Sequence, residues 1–92
     1  MTMFIYVGCR RVWITTIIRC VSSLDNQVCG YILVCKESPC CTVPFDVNIG
    51  EDDIIQICDE HGFRRGKTYT GKAAFMVIEN LKTELLLDKT LD

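Results

Sequence analysis

The chain has no Cys-x-x-Cys pair, only one histidine (His61), and no apolar run of membrane length. Each shortage removes a class of protein. Closely spaced cysteine pairs are what most structural zinc modules are built on, so the usual zinc-finger spacings are not present. The longest stretch without a charge, Asn26 to Cys35, is ten residues, whereas a membrane-spanning helix needs about 20 mostly apolar ones. No basic segment precedes the first apolar residues, and Arg10 and Arg11 follow them, which reverses the order of a secretory signal. The expectation is a cytoplasmic protein with no membrane partner. Catalytic signatures are missing too, and 92 residues bury one modest core, with little room to enclose a substrate beside an acid, a base and a nucleophile. A non-enzyme without a small-molecule substrate is expected, organised as a single domain over 1–92.

Hydrophobic residues make up 49 % of the chain and charged residues 24 %, a globular composition far from that of disordered segments. The formal charge of -2 hides a sharp local polarity. Glu51 to Glu60 carries five acids and no base, and Gly62 to Lys72 then carries four fixed positive charges, three glycines, Phe63 and Tyr69 and no acid. Seven cysteines would suit a disulfide scaffold in a secreted protein. Their odd number and their places inside apolar patterns, as in Ile-Leu-Val-Cys35, favour reduced, mostly core thiols instead.

Phe4 to Val7 reads as a strand, and Val12 to Ser23 and Val28 to Lys36 as a long hairpin around the turn Leu24-Asp25-Asn26-Gln27. With Ser23 opposite Val28, one face is Val12, Ile14, Thr16, Ile18 and Cys20 with Cys29, Tyr31, Leu33 and Cys35, the expected core side. Arg11, Trp13, Thr15, Ile17, Arg19 and Lys36 fall on the other, partly exposed face. Pro44 makes Cys40 to Ile49 an edge segment. Glu51-Asp52-Asp53 suits the first turn of a helix, Ile54, Ile55, Ile57 and Cys58 follow helical spacing, and Gly62 suits its C-cap, so the spacing predicts an acidic helix over 51–61. Gly71 to Leu81 favours a helix, Leu85 to Leu87 either its end or a last strand, and Asp88 to Asp92 a frayed end. The fold class is therefore α+β: an antiparallel sheet of about four strands, one acidic helix (51–61) and a C-terminal helix or strand.

Gly62-Phe-Arg-Arg-Gly66-Lys67-Thr68 has the composition of a phosphate loop but three residues between its glycines instead of four, and no strand is expected before it. Read electrostatically, Arg64, Arg65, Lys67 and Lys72 meet phosphates or acidic side chains, and Phe63 and Tyr69 offer faces for stacking. The alternative is a solvated connection whose cations pair with Asp59 and Glu60. Cys58 and His61, with Cys40 and Cys41 upstream, raise a zinc site or a Cys-His nucleophile, but neighbouring cysteines on a strand point to opposite faces and no third orienting group is present. No cofactor or metal is implied. Trp13 with Arg10, Arg11 and Arg19 forms a second contact patch, or Trp13 packs under a helix.

The loop Arg64-Arg65-Gly66-Lys67, the Trp13 patch and the missing catalytic constellation resemble, in general character, the small phage-encoded inhibitors of the anti-CRISPR type. That resemblance implies a protein in the host cytoplasm that binds a host protein complex, a ribonucleoprotein with contacts to its RNA among the candidates, and occludes its nucleic-acid channel. The expected contacts are Arg64, Arg65, Lys67, Tyr69 and Lys72, with Arg10, Arg11, Trp13 and Arg19 as a second surface. A small nucleic-acid-binding regulator is the rival, set back by a pI near 5.3, and a zinc-stabilised interaction module is the third reading.

Overall fold

A computed structural model of the chain describes residues 4–58, 63–81 and 86–91. Its elements are β1 (Phe4–Val7), β2 (Arg10–Ser22), β3 (Val28–Lys36), β4 (Phe45–Ile49), β5 (Ile55–Cys58), β6 (Arg64–Tyr69), α1 (Lys72–Leu81) and β7 (Leu86–Leu91). The strands form one sheet in the order β4-β3-β2-β1-β5-β6, with β7 added to β2. Every pairing is antiparallel except β7, which runs parallel to β2 along Ile17 to Ser22. β2 is long enough to take β1 along Arg10 to Trp13 and β7 further on. The expected β1 strand, the hairpin, the edge position of β4 and the helix before Leu81 are all present.

The α+β expectation is overturned: the chain folds as seven mostly antiparallel strands with one short helix. No acidic helix begins at Glu51. Glu51 and Asp52 form a turn that Asp53 closes, its carboxylate accepting the Gly50 N–H at 2.7 Å. Asp53 thus does local turn work, in competition with the helix. Ile55 to Cys58 then pair as β5 between β1 and β6. Three β-branched isoleucines favour a pleated surface, and the alternation of buried Ile55 with Gln56 prevails over the 3.6-residue spacing. Residues 59–62, which include the predicted end of that helix, lie outside the described residues. At the C-terminus Asp88 to Leu91 are ordered in β7, where a frayed end was expected.

The hairpin register also differs from expectation, by one residue. The β2–β3 loop takes five residues, Ser23 to Gln27, with Asn26 at a φ of 58°, and Ser22 N–H donates to Gln27 O at 2.8 Å. Asn tolerates this left-handed conformation better than most residues. Arg19 therefore stands opposite Tyr31 and Ile17 opposite Leu33. A bulge at Thr15 then shifts the ladder, so Ile14 stands opposite Cys35 while Thr16 faces Val34. The Thr15 hydroxyl donates to Val34 O at 2.8 Å. As a result Val12 and Ile14 but also Ile17 turn to the core, while Thr16 and Ile18 turn away.

The core lies between one side of the sheet and α1. It joins Ile5, Val12, Ile14, Ile17, Tyr31, Leu33, Cys35, Ile49 and Ile55 to Ala74, Phe75 and Ile78 of the helix. Phe75 packs against Tyr31 with ring centroids 5.1 Å apart. The helix starts after Gly71, at a φ of 61°, where the Gly71 N–H and the Thr70 hydroxyl both donate to Glu51 O. Of the cysteines expected mostly in the core, Cys20 and Cys35 are buried, while Cys9, Cys29 and Cys40 are exposed thiols. The other side of the sheet carries no covering element among the described residues. Among them, too, no helix is long and apolar enough to cross a membrane.

Candidate functional site

The uncovered face of the sheet is built by alternation. Ile5 and Val12 point to the core, so Phe4, Tyr6, Arg11 and Trp13 point the other way. Cross-strand pairing sets Phe4 beside Trp13, Tyr6 beside Arg11, and Trp13 beside Lys36. On the other flank of β1, Tyr6 stands opposite Gln56, Gln56 opposite Thr68, and Cys58 opposite Arg64. The rings of Phe4 and Trp13 meet edge to face, with centroids 4.7 Å apart and planes at 77°. The Arg11 guanidinium lies 4.6 Å from the centre of the Phe4 ring, and that of Arg64 3.9 Å from the centre of Tyr6. Arg64 also donates to Gly8 O at 3.3 Å, tying β6 to the β1–β2 turn. An exposed cation–π contact of this kind contributes about 0.5–1 kcal/mol. It orients the arginines without consuming their charge.

The electrostatics of the face are one-sided. β1, β2, β3, β5 and β6 contain no aspartate or glutamate at all, yet they hold Arg10, Arg11, Arg19, Lys36, Arg64, Arg65 and Lys67. Among the described residues the acids lie in turns and connections, on β4 (Asp46), on α1 (Glu79) and on β7 (Asp88). A protein of net charge -2 thereby presents an acid-free set of five strands.

The nine contact residues expected from sequence separate on this scaffold. Arg64, Arg11 and Trp13 come together, joined by Phe4 and Tyr6 of β1. Lys67 is exposed on β6 beside a bulge at Gly66, which has a φ of 69° and whose carbonyl accepts the Gln56 amide at 3.0 Å. Arg65 belongs to the same strand. The predicted basic loop is in its central part this edge strand. Three residues leave the predicted surface. Tyr69 stands opposite Ile55 and packs against the core. Arg10 turns to the other side of the sheet, its guanidinium 4.2 Å from the Phe45 ring centre. Arg19, expected beside Trp13, points to the helix side because the register moves it opposite Tyr31. Lys72 opens α1, away from the cluster, and is exposed.

Arg19 is engaged internally. Its Nε and Nη2 donate to the two carboxylate oxygens of Asp88 at 2.7 and 3.1 Å, and its Nη1 to Glu79. The hydrogen bonds to Asp88 and then Glu79 raise the already high Arg19 pKa, and Arg19 in turn holds the Asp88 carboxyl below its usual range. Burial, and then the neighbouring Glu79 carboxylate, push the Tyr31 hydroxyl up.

Sequence reasoning overlooked Phe4 and Tyr6, although their alternation with Ile5 carried the signal. Two depressions lie elsewhere. One, of about 490 Å³, is bordered by Glu37, Cys40, Cys41, Thr42, Val43 and Phe45. The other, of about 270 Å³, is bordered by Cys20, Cys29, Gly30, Ile32 and Asn48. No group of three or more His, Cys, Asp or Glu among the described residues is placed to hold a metal ion, and His61, named for the zinc and nucleophile readings, lies outside them. Comparison with known protein families, curated proteins and solved structures finds no match.

Proposed function

We propose that this protein is a non-catalytic binding module that docks on a host nucleic-acid-handling complex and occludes its nucleic-acid channel. The observation that carries the reading is the acid-free part of the sheet face, built from β1, β2, β3, β5 and β6 with Asp46 of β4 beyond its far margin, on which Arg11 and Arg64 are held over aromatic rings. Arginine and aromatic side chains are the groups that dominate interface energetics and phosphate contact. A face with no acid on five neighbouring strands attracts polyanions despite the overall sign of the chain, because charges within about 8 Å, the physiological screening length, decide the local field. The contact surface thus shifts from a loop to a hydrogen-bonded sheet, whose backbone has little freedom left to lose on docking. The nature of the surface also keeps the rival reading, a small regulator that binds nucleic acid directly.

The test is capture from host lysate by the immobilised protein, with the double variant R11E/R64E as control. Both side chains are largely at the surface, so the variant should keep its fold by circular dichroism. Loss of a co-captured nucleic-acid-handling complex by the folded variant is expected. Capture of the same complex by wild type and variant alike would refute the face assignment.

A further inference from the structure

We infer that the uncovered sheet face binds single-stranded nucleic acid, with bases stacked on Phe4, Tyr6 and Trp13 and phosphates met by Arg11, Lys36 and Arg64. The inference rests on the reading of this face as a polyanion-docking surface, and it names the polyanion. A protein carboxylate surface would satisfy the cations but would have no use for three clustered rings. Those rings belong to adjacent strands, with Phe4 and Trp13 in a direct cross-strand pair and Tyr6 two residues along β1. Neighbouring strands lie about 4.8 Å apart and alternate residues of one strand about 6.8 Å, so the three rings, with Phe4 and Trp13 edge to face, fall within a patch of the size on which open sheets stack two or three bases.

In the free protein the Arg11 and Arg64 guanidinium groups cover Phe4 and Tyr6. Stacking of a base on an aromatic ring is the stronger contact. A nucleotide strand therefore displaces each guanidinium from its ring, and the released cation is already beside the strand, within reach of its phosphate. The arginine thus acts as a cap over the empty site and as a phosphate ligand in the filled one. A duplex is excluded, since its bases are stacked on one another and cannot reach a flat face. Sequence preference is expected to be weak, because every base has a π-face and no buried donor or acceptor pattern lines the platform.

Trp13 is the sole tryptophan and stands in the platform, so its fluorescence reports stacking directly. The experiment titrates the full chain at low salt with oligo(U), oligo(dT), a duplex of equal length and heparin. The expected result is saturable quenching by the single strands only, with a log–log salt slope of about −2 for three phosphate contacts. The comparison of oligo(U) with oligo(dT) tells RNA from DNA. F4L and Y6L, checked for folding by circular dichroism, should each weaken oligonucleotide affinity about 5- to 100-fold. Equal binding of heparin, duplex and single strands without quenching would overturn the stacking inference and leave the anion-docking face standing. Binding of no oligonucleotide by a folded protein would overturn it as well, and the lysate capture with R11E/R64E then decides the broader reading independently.

Discussion

Replacing Arg19 by methionine distinguishes a structural latch from a contact residue. Arg19 reaches from β2 to Glu79 on α1 and to Asp88 on β7, so one side chain ties the helix and the parallel strand to the centre of the sheet. The size of the effect is limited by exposure: the side chains of Arg19 and Glu79 are 30 % and 33 % exposed, and that of Asp88 58 %. The Asp88 contact is open to solvent and screened, and adds little. The Glu79 pair is partly sheltered and contributes about 1 kcal/mol at most. Methionine keeps the apolar stem, so lost packing adds little, and Glu79 keeps access to water. R19M should therefore lose about 1 kcal/mol, read as a fall in Tm of about 4–8 °C for a domain of this size. Molar salt should narrow the gap between R19M and wild type. R19K should recover only part of the loss, since an ammonium cannot bond both carboxylates in a fork. Nucleic-acid affinity should be unchanged. A variant with wild-type Tm and weakened binding would refute the latch and return Arg19 to the contact surface.

The close approach of β4 to β3 depends on Gly30, where an added Cβ would stand 2.7 Å from Ile49 O. G30A should cost about 2 kcal/mol by urea unfolding as the strands are forced apart, whereas G50A, whose Cβ meets only Asp53 Oδ2 at 3.8 Å, should be close to neutral. Equal midpoints for the two would show that the β3–β4 contact yields without cost. Burial pushes the Cys35 thiol up to about 12, so the folded state holds this proton more tightly than the unfolded chain. Stability should be full below the ordinary thiol range and decline as pH rises from there toward 12, and C35V should lack that part of the decline. At the acid end Arg19 depresses Asp88, so its contribution should be present above the ordinary carboxylate range and fade as pH falls through the depressed value. The same titration in R19M should show no such step.

Strand content in β1, β2 and β3 was legible because β-branched and aromatic residues cluster there and turn residues separate them. The faces of β2 were less so. Periodicity assumes an unbroken ladder, and one extra residue at Thr15 plus a five-residue loop around Asn26 reverse the roles of Ile17 and Ile18. A bulge has no composition of its own that would announce it, since Thr15 is an ordinary strand residue. The acidic segment misled for a different reason. Asp53 suits a helix N-terminus and a turn equally, and only the partners of Ile55 and Ile57, on β1 fifty residues earlier, decide for the strand. Local spacing cannot report a pairing so distant.

The same topology explains why two basic segments that lie far apart in sequence form one surface. Arg11 and Trp13 on one side, and Arg64 on the other, reach it only because β1 is inserted between β2 and β5 and supplies Phe4 and Tyr6 as the bridge. A sheet ordered with β5 elsewhere would leave Arg64 without its ring and divide the surface in two. Charge distribution follows from this arrangement too. Acids placed beside the arginines would neutralise them across the roughly 4.8 Å between neighbouring strands, whereas Asp46 stands on edge strand β4, Glu79 on α1 and Asp88 on the helix side of β7. Their effect on the face is screened by solvent, while they still keep the whole chain weakly negative. A negative total with an arginine-aromatic cluster away from the acids limits indiscriminate adhesion to polyanions and reserves contact for a ligand that also offers something to the rings. That condition is met by unpaired bases.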